Sequence, residues 1–147
     1  MSEDQPITAT EASAPLVGIA RVDRRTKDLA KRLEPGEIAV IDHTDLDTVA
    51  TESLLAAGVG AVVNASPCIS GRYPNAGPLL LAAAEVPVID GVGSEVMEAV
   101  ADGETITVDG GRILVGDVEI AAGTRQDTHS FAEVLDVARS NMGDELQ

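Results

Sequence analysis

Compact apolar runs bounded by turn residues alternate with helical apolar spacing as far as residue 100, and polar–apolar alternation takes over beyond it. Ile38-Ala39-Val40-Ile41 follows Pro35-Gly36 and precedes polar residues, the pattern of a strand buried on both faces. Leu46, Val49, Ala50, Ser53, Leu54 and Ala57 then recur at helical spacing, with Asp45 or Asp47 able to cap the start and Gly58 to end it. Residues 59–63 read as a second buried strand. A loop, Ser70-Gly71-Arg72-Tyr73-Pro74-Asn75, leads into a helix over about 77–84 with Pro78 in its first turn. Val86-Pro87-Val88-Ile89 is a third strand, and Val96, Met97 and Val100 mark a short helix that Asp102-Gly103 ends.

The texture then changes. Residues 104–108 alternate, Asp109-Gly110-Gly111 turns the chain into Arg112-Ile113-Leu114-Val115, and Gly116-Asp117 turns it again into Val118-Glu119-Ile120. Phe131, Val134, Leu135, Ala138, Met142 and Leu146 form an apolar stripe on a last helix with no stop signal, so the chain is expected to be a fragment of a longer protein. At the other end, residues 1–15 lack periodicity and read as a disordered arm; order is expected from Leu16, with a helix capped by Thr26, carrying Leu29 and Leu33 on one face and stopped by Pro35-Gly36. The whole reads as α/β: β-α-β units followed by a β-meander and a C-terminal helix, with one domain at 16–125 and an amphipathic helix at 126–147.

Composition adds two constraints. Tyr73 and Phe131 are the sole aromatic residues, so small branched side chains must build the core of this 147-residue chain. The net charge is −15, yet residues 21–32 hold Arg21, Arg24, Arg25, Lys27, Lys31 and Arg32 against Asp23 and Asp28, a net +4 that leaves −19 elsewhere. Such acidity disfavours nucleic acid as a partner. The basic segment reads first as a solvated helix face and, in a functional role, as a site for an anionic lipid, a nucleotide or an acidic patch on another domain, with Arg21, Arg24, Arg25 and Lys31 as the candidate partner contacts. Phe131 and Leu135 are a second candidate contact, for a downstream domain or another copy of the chain. Cys68 is the one cysteine, so no internal disulfide forms, and no apolar run or basic leader signals membrane insertion or export; a cytoplasmic location without membrane contact is expected.

Candidate chemistry gathers at two strand ends. Asp42, His43, Asp45 and Asp47 follow the first strand, where ligands bind in open α/β sheets, but their spacing matches no metal-ligand signature. Asn64 and Ser66 follow the second strand and lead to Ser70, Gly71, Arg72 and Asn75, a set that can grip a small anion or equally form a tight turn with Asn75 as helix cap. Cys68 would need His43 as its base to act as a nucleophile. No Walker loop or dinucleotide fingerprint occurs, and no cofactor, metal or catalytic residue is assigned.

Residues 37–116, through the 70–75 loop, Val86-Pro87-Val88-Ile89-Asp90-Gly91-Val92 and the 102–110 stretch, resemble the swivelling β/β/α phosphohistidine domain of phosphoenolpyruvate-utilising enzymes. That resemblance implies a three-layer domain. In that family a Gly-Gly-x-Thr-Ser-His motif carries a phosphoryl group on its histidine, and here Asn75 takes that position; an amide is no phosphoryl acceptor. Residues 18 to about 123, through Arg21-Val22-Asp23-Arg24-Arg25-Thr26-Lys27-Asp28-Leu29, Ile41-Asp42-His43-Thr44-Asp45-Leu46-Asp47 and the same loop, resemble more specifically the amino-terminal region of SteA-like cytokinetic-ring proteins of actinobacteria. Members continue into a thiamin-pyrophosphokinase-like domain and a membrane segment. The resemblance implies a non-catalytic role in cell division, in assembly or in binding a small anion; the alternative is a phosphotransfer or nucleotide-dependent enzyme domain in which His43 replaces the lost histidine.

Overall fold

A computed structural model describes residues 14–72 and 74–146, with side chains in the last helix to residue 140. The expected disordered arm up to residue 13, Tyr73 of the loop, and the Met142 and Leu146 positions of the stripe lie outside what is described. Among the described residues there are eight strands and five helices. In chain order they are β1 (Leu16–Val22), α1 (Thr26–Arg32), β2 (Ile38–Ile41), α2 (Thr48–Ala56), β3 (Ala61–Asn64), α3 (Gly77–Ala83), β4 (Val88–Asp90), α4 (Val96–Ala99), β5 (Thr105–Asp109), β6 (Arg112–Val115), β7 (Val118–Ala122), β8 (Thr124–Gln126) and α5 (Thr128–Leu146). The chain is thus mixed α/β, as its pattern predicts.

Strand order is β7-β6-β5-β1-β2-β3-β4-β8, parallel from β1 to β4 and antiparallel elsewhere. Two strands turn the corners between an antiparallel and a parallel layer. The first half of β1 pairs with β5 and its second half, from Ala20, with β2. At the other side β7 and β8 are consecutive, separated by Gly123 alone, although they lie at opposite ends of the strand order. One continuous stretch therefore joins both edges, and the sheet folds over on itself as sheets do when strands switch layers. Gly123 makes this corner: its N–H donates to the Gly111 carbonyl at 2.8 Å, and a Cβ there would collide with the Asp90 carbonyl oxygen and with Val92.

The fold-over creates two cores. Ile38, Val40, Ala61, Val63 and Ile89 on one face of the parallel strands pack against Ile106, Val108 and Ile113 of the meander. Ala39, Ile41, Val62 and Val88 on the opposite face pack against Leu29, Leu54, Leu81 and Phe131 from the helices. Layers of meander, parallel strands and helices follow directly from β2 and β3 being buried at every position.

The structure corrects several local expectations. β1 and β8 are strands that the apolar pattern did not reveal. Thr26 is not a cap but the first helical residue of α1, and its hydroxyl lies 2.8 Å from Nδ1 of His43 instead. Of the two aspartates offered as the cap of α2, Asp47 serves, accepting from the Ala50 N–H at 2.8 Å. Phe131 and Leu135, expected to face a partner, are buried, Phe131 within the helical core, because α5 packs against α3 and β8. The first part of the stripe, Phe131, Leu135 and Ala138, is thus buried against the rest of the described chain. No helix among the described residues is long and apolar enough to cross a membrane.

Candidate functional site

The carboxyl ends of β2, β3 and β4 present Asp42, Asn64 and Asp90 at successive positions of one edge, since Ile41 pairs with Asn64 and Val63 with Ile89. Asn64 is wholly buried and every polar valence of its amide is occupied. Its Oδ1 accepts from the backbone N–H groups of His43 and Ser66, both at 3.0 Å, while Nδ2 donates to the His43 carbonyl at 2.9 Å and to Cys68 Sγ at 3.2 Å. Such a residue is a clamp between strand ends, satisfying backbone groups that the sheet no longer pairs. Asp42 accepts a short hydrogen bond from the Ser66 hydroxyl and meets Arg24 Nη1 at 3.3 Å. Asp90 binds the Cys68 N–H at 2.8 Å and Gln126 Nε2 at 2.9 Å, tying the loop to β8.

The 70–75 loop is held from below. Asp45 sits in the left-handed region at φ 57° and is buried, and its carboxylate accepts from the Ser70 N–H at 2.7 Å and the Ser70 hydroxyl at 2.8 Å. A buried carboxylate directly behind the loop opposes an anion there. Asn75 is likewise buried: Nδ2 donates to the Leu46 carbonyl at 2.7 Å, and Oδ1 accepts from the Gly77 N–H at 3.2 Å, so it docks the start of α3 onto the backbone before α2. Gly77 permits that docking, because a Cβ would lie 2.6 Å from the Leu46 carbonyl oxygen. Gly71, at φ 92°, forms the turn, and Arg72 extends into solvent. Cys68 is buried, and burial above all, then the nearby Asp90 carboxylate, pushes its thiol far above the ordinary range. The pairing of Cys68 with His43 as a nucleophile and base does not form: the thiol contacts the Asn64 amide, while the described contact of the imidazole is Thr26.

The basic segment divides in two. Arg21 forms a two-pronged pair with Glu37, 3.0 Å at each prong, and Arg32 joins Asp102 at 2.9 Å and the Val22 carbonyl at 2.8 Å; both brace β1 against its surroundings. Arg21 is therefore engaged within the fold. Arg24, Arg25, Lys27 and Lys31 instead line an open cleft of about 590 Å³ whose far wall is the 42–44 strand end with His43. The structure thus joins Asp42 and His43 to Arg24, Arg25 and Lys31, while Asn64, Ser66, Ser70 and Asn75 belong to the hydrogen-bonded frame behind them. Thr26 and Asp45 were read in the sequence as caps or strand-end groups without their partners His43 and Ser70, and Asp90 was not among the candidates. Asp90 carried a readable signal, since Ile89-Asp90 repeats the apolar-then-polar strand end of Ile41-Asp42 and Val63-Asn64.

No family model matches the chain, and no curated protein matches it. Among the described residues, no three His, Cys, Asp or Glu side chains gather in a way that could hold a metal ion.

Proposed function

We propose that this chain is a non-catalytic, SteA-like domain that serves assembly in cell division. The observation that carries the non-catalytic reading is Asn75. At the position where the swivelling phosphohistidine domains carry their histidine, this chain has a buried amide bonded to two backbone segments. An amide lacks the nucleophilic lone pair of imidazole, and burial removes it from any incoming phosphoryl donor. The neighbouring hydroxyl of Ser70 is held by Asp45, and the Cys68 thiol stays protonated.

The test is incubation with labelled phosphoenolpyruvate and labelled ATP. The protein should acquire no acid-labile label; a stoichiometric label lost in His43→Ala would replace this reading with a phosphotransfer enzyme that uses His43. The division role is tested in cells: the gene product carrying a fluorescent tag should concentrate at the septum, and a uniform distribution would refute it.

A further inference from the structure

The cleft between α1 and the 42–44 strand end has a lining of unusual chemistry. All nine of its residues carry a polar or charged group. Pockets for bases, acyl chains and drug-like molecules are lined mainly by hydrophobic and aromatic side chains, which this cleft lacks apart from the His43 ring. Arg24 is drawn to Asp42, which leaves Arg25, Lys27 and Lys31 facing Asp28, an excess of positive charge in a chain of net charge −15. Among the described residues none of those three cations has a salt bridge. A phosphate monoester, with a charge of about −1.5 to −2 at neutral pH, matches that excess.

The rest of the lining faces a different kind of group. Asp28 can accept from hydroxyls, Thr44 can donate or accept, and the Thr26 hydroxyl at Nδ1 of His43 orients the imidazole so that its second nitrogen remains for a ligand. A bare anion has no use for a carboxylate; a molecule bearing hydroxyls beside its phosphate does. We propose that this cleft binds a phosphorylated sugar or polyol, its phosphate against Arg25, Lys27 and Lys31 and its hydroxyls toward Asp28, His43 and Thr44. The ligand is held reversibly, so the proposal stands or falls apart from the non-catalytic reading, which covalent labelling tests. The same chemistry is presented by a free sugar phosphate and by the headgroup of a phosphoinositide lipid.

The experiment is a titration followed by backbone amide NMR and by calorimetry, with glucose 6-phosphate and inositol 1-phosphate as probes and inorganic phosphate, glucose and ADP as comparisons. Shifts should map to residues 24–31 and 42–44, and at least one sugar or polyol phosphate should bind about tenfold or more tightly than inorganic phosphate, a difference of about 1.4 kcal/mol. Arg25→Gln combined with Lys31→Gln should remove about tenfold or more of that affinity at unchanged melting temperature, because both side chains are exposed. Co-sedimentation with phosphatidylcholine vesicles containing phosphatidylinositol 4-phosphate, lost in the double variant, would place the ligand on a lipid; binding of the free probes alone would make it soluble. The proposal is overturned if inorganic phosphate or ADP binds as well as the sugar phosphates, if the shifts fall on the 70–75 loop, if the double variant binds unchanged, or if neither probes nor vesicles bind.

Discussion

Replacing Asn64 by alanine tests whether the strand-end amide is framework or ligand contact. The side chain is fully buried and serves three backbone groups, the N–H groups of His43 and Ser66 and the carbonyl of His43. Leaving a buried donor or acceptor without a partner costs about 1–3 kcal/mol. His43 and Ser66 are themselves half-buried, so water can recover part of that loss, and the lower end applies to each group. The total is then about 3 kcal/mol, a large share of the ~5–15 kcal/mol that holds a typical domain folded. With a urea m-value of ~1–3 kcal/mol per molar, the unfolding midpoint should fall by roughly 1–3 M. Asn64→Asp sharpens the test, since it keeps the acceptor and converts the donor into an oxygen facing the His43 carbonyl, where Nδ2 now stands at 2.9 Å. That carboxyl has its folded pKa raised, so its neutral form is the one the fold tolerates: relative to wild type, the variant should be weakest at neutral pH and recover as pH falls. An alanine variant within about 0.5 kcal/mol of wild type would refute the framework role and return Asn64 to the candidates for ligand binding.

Cys68 should resist iodoacetamide in the native protein at mildly alkaline pH and react fully in denaturant, because burial suppresses its thiolate; rapid native labelling would contradict the packing around it. The acid limb of stability should depend on Glu37, whose carboxyl is held below its ordinary value first by the Arg21 guanidinium and then by the Glu34 N–H. A depressed folded pKa gives stabilisation that is present above the unfolded value of about 4.3 and lost as pH falls through the folded one, so Glu37→Gln should flatten the urea midpoint against pH below that point. Phe131→Ala should cost about 3–5 kcal/mol, as expected for the largest buried side chain of the helical core; a cost below about 1 kcal/mol would mean that this ring faces outward for a partner.

How much of this was legible in the sequence differs from element to element, for physical reasons. β2 and β3 announce themselves because strands buried on both faces must be apolar throughout. β8 is Thr-Arg-Gln and has no apolar residue to read; it exists because its backbone pairs with the exposed edge of β4. β1 was hidden for the opposite reason. Its inward residues include Gly18 and Ala20 while its outward ones are Val17 and Ile19, at 63% and 41% exposure, so the alternation that marks a one-sided strand is inverted. The meander residues Ile106, Val108 and Ile113 follow the ordinary rule and were readable.

The site illustrates a subtler limit. Both the 70–75 loop and the 21–32 segment advertise affinity for an anion, one by small polar residues and a glycine, the other by charge. Sequence spacing could not rank them, because the deciding groups lie elsewhere in the chain. Asp45, twenty-five residues before Ser70, places a buried carboxylate under the loop and occupies both its N–H and its hydroxyl. Glu37 and Asp102 draw Arg21 and Arg32 out of the basic segment, and Asp42 draws in Arg24, so that charge which looked like one solvated face is divided between bracing and an open cleft. What remains in the cleft is Arg25, Lys27 and Lys31 with Asp28, facing His43 and Thr44. With a buried carboxylate behind the 70–75 loop and cations gathered beside His43, the cleft is the more favourable of the two places for an anion. The two regions are also tied together: Asp45, which holds Ser70, directly follows the 42–44 wall of the cleft, and Asn75 bonds the Leu46 carbonyl one residue further on.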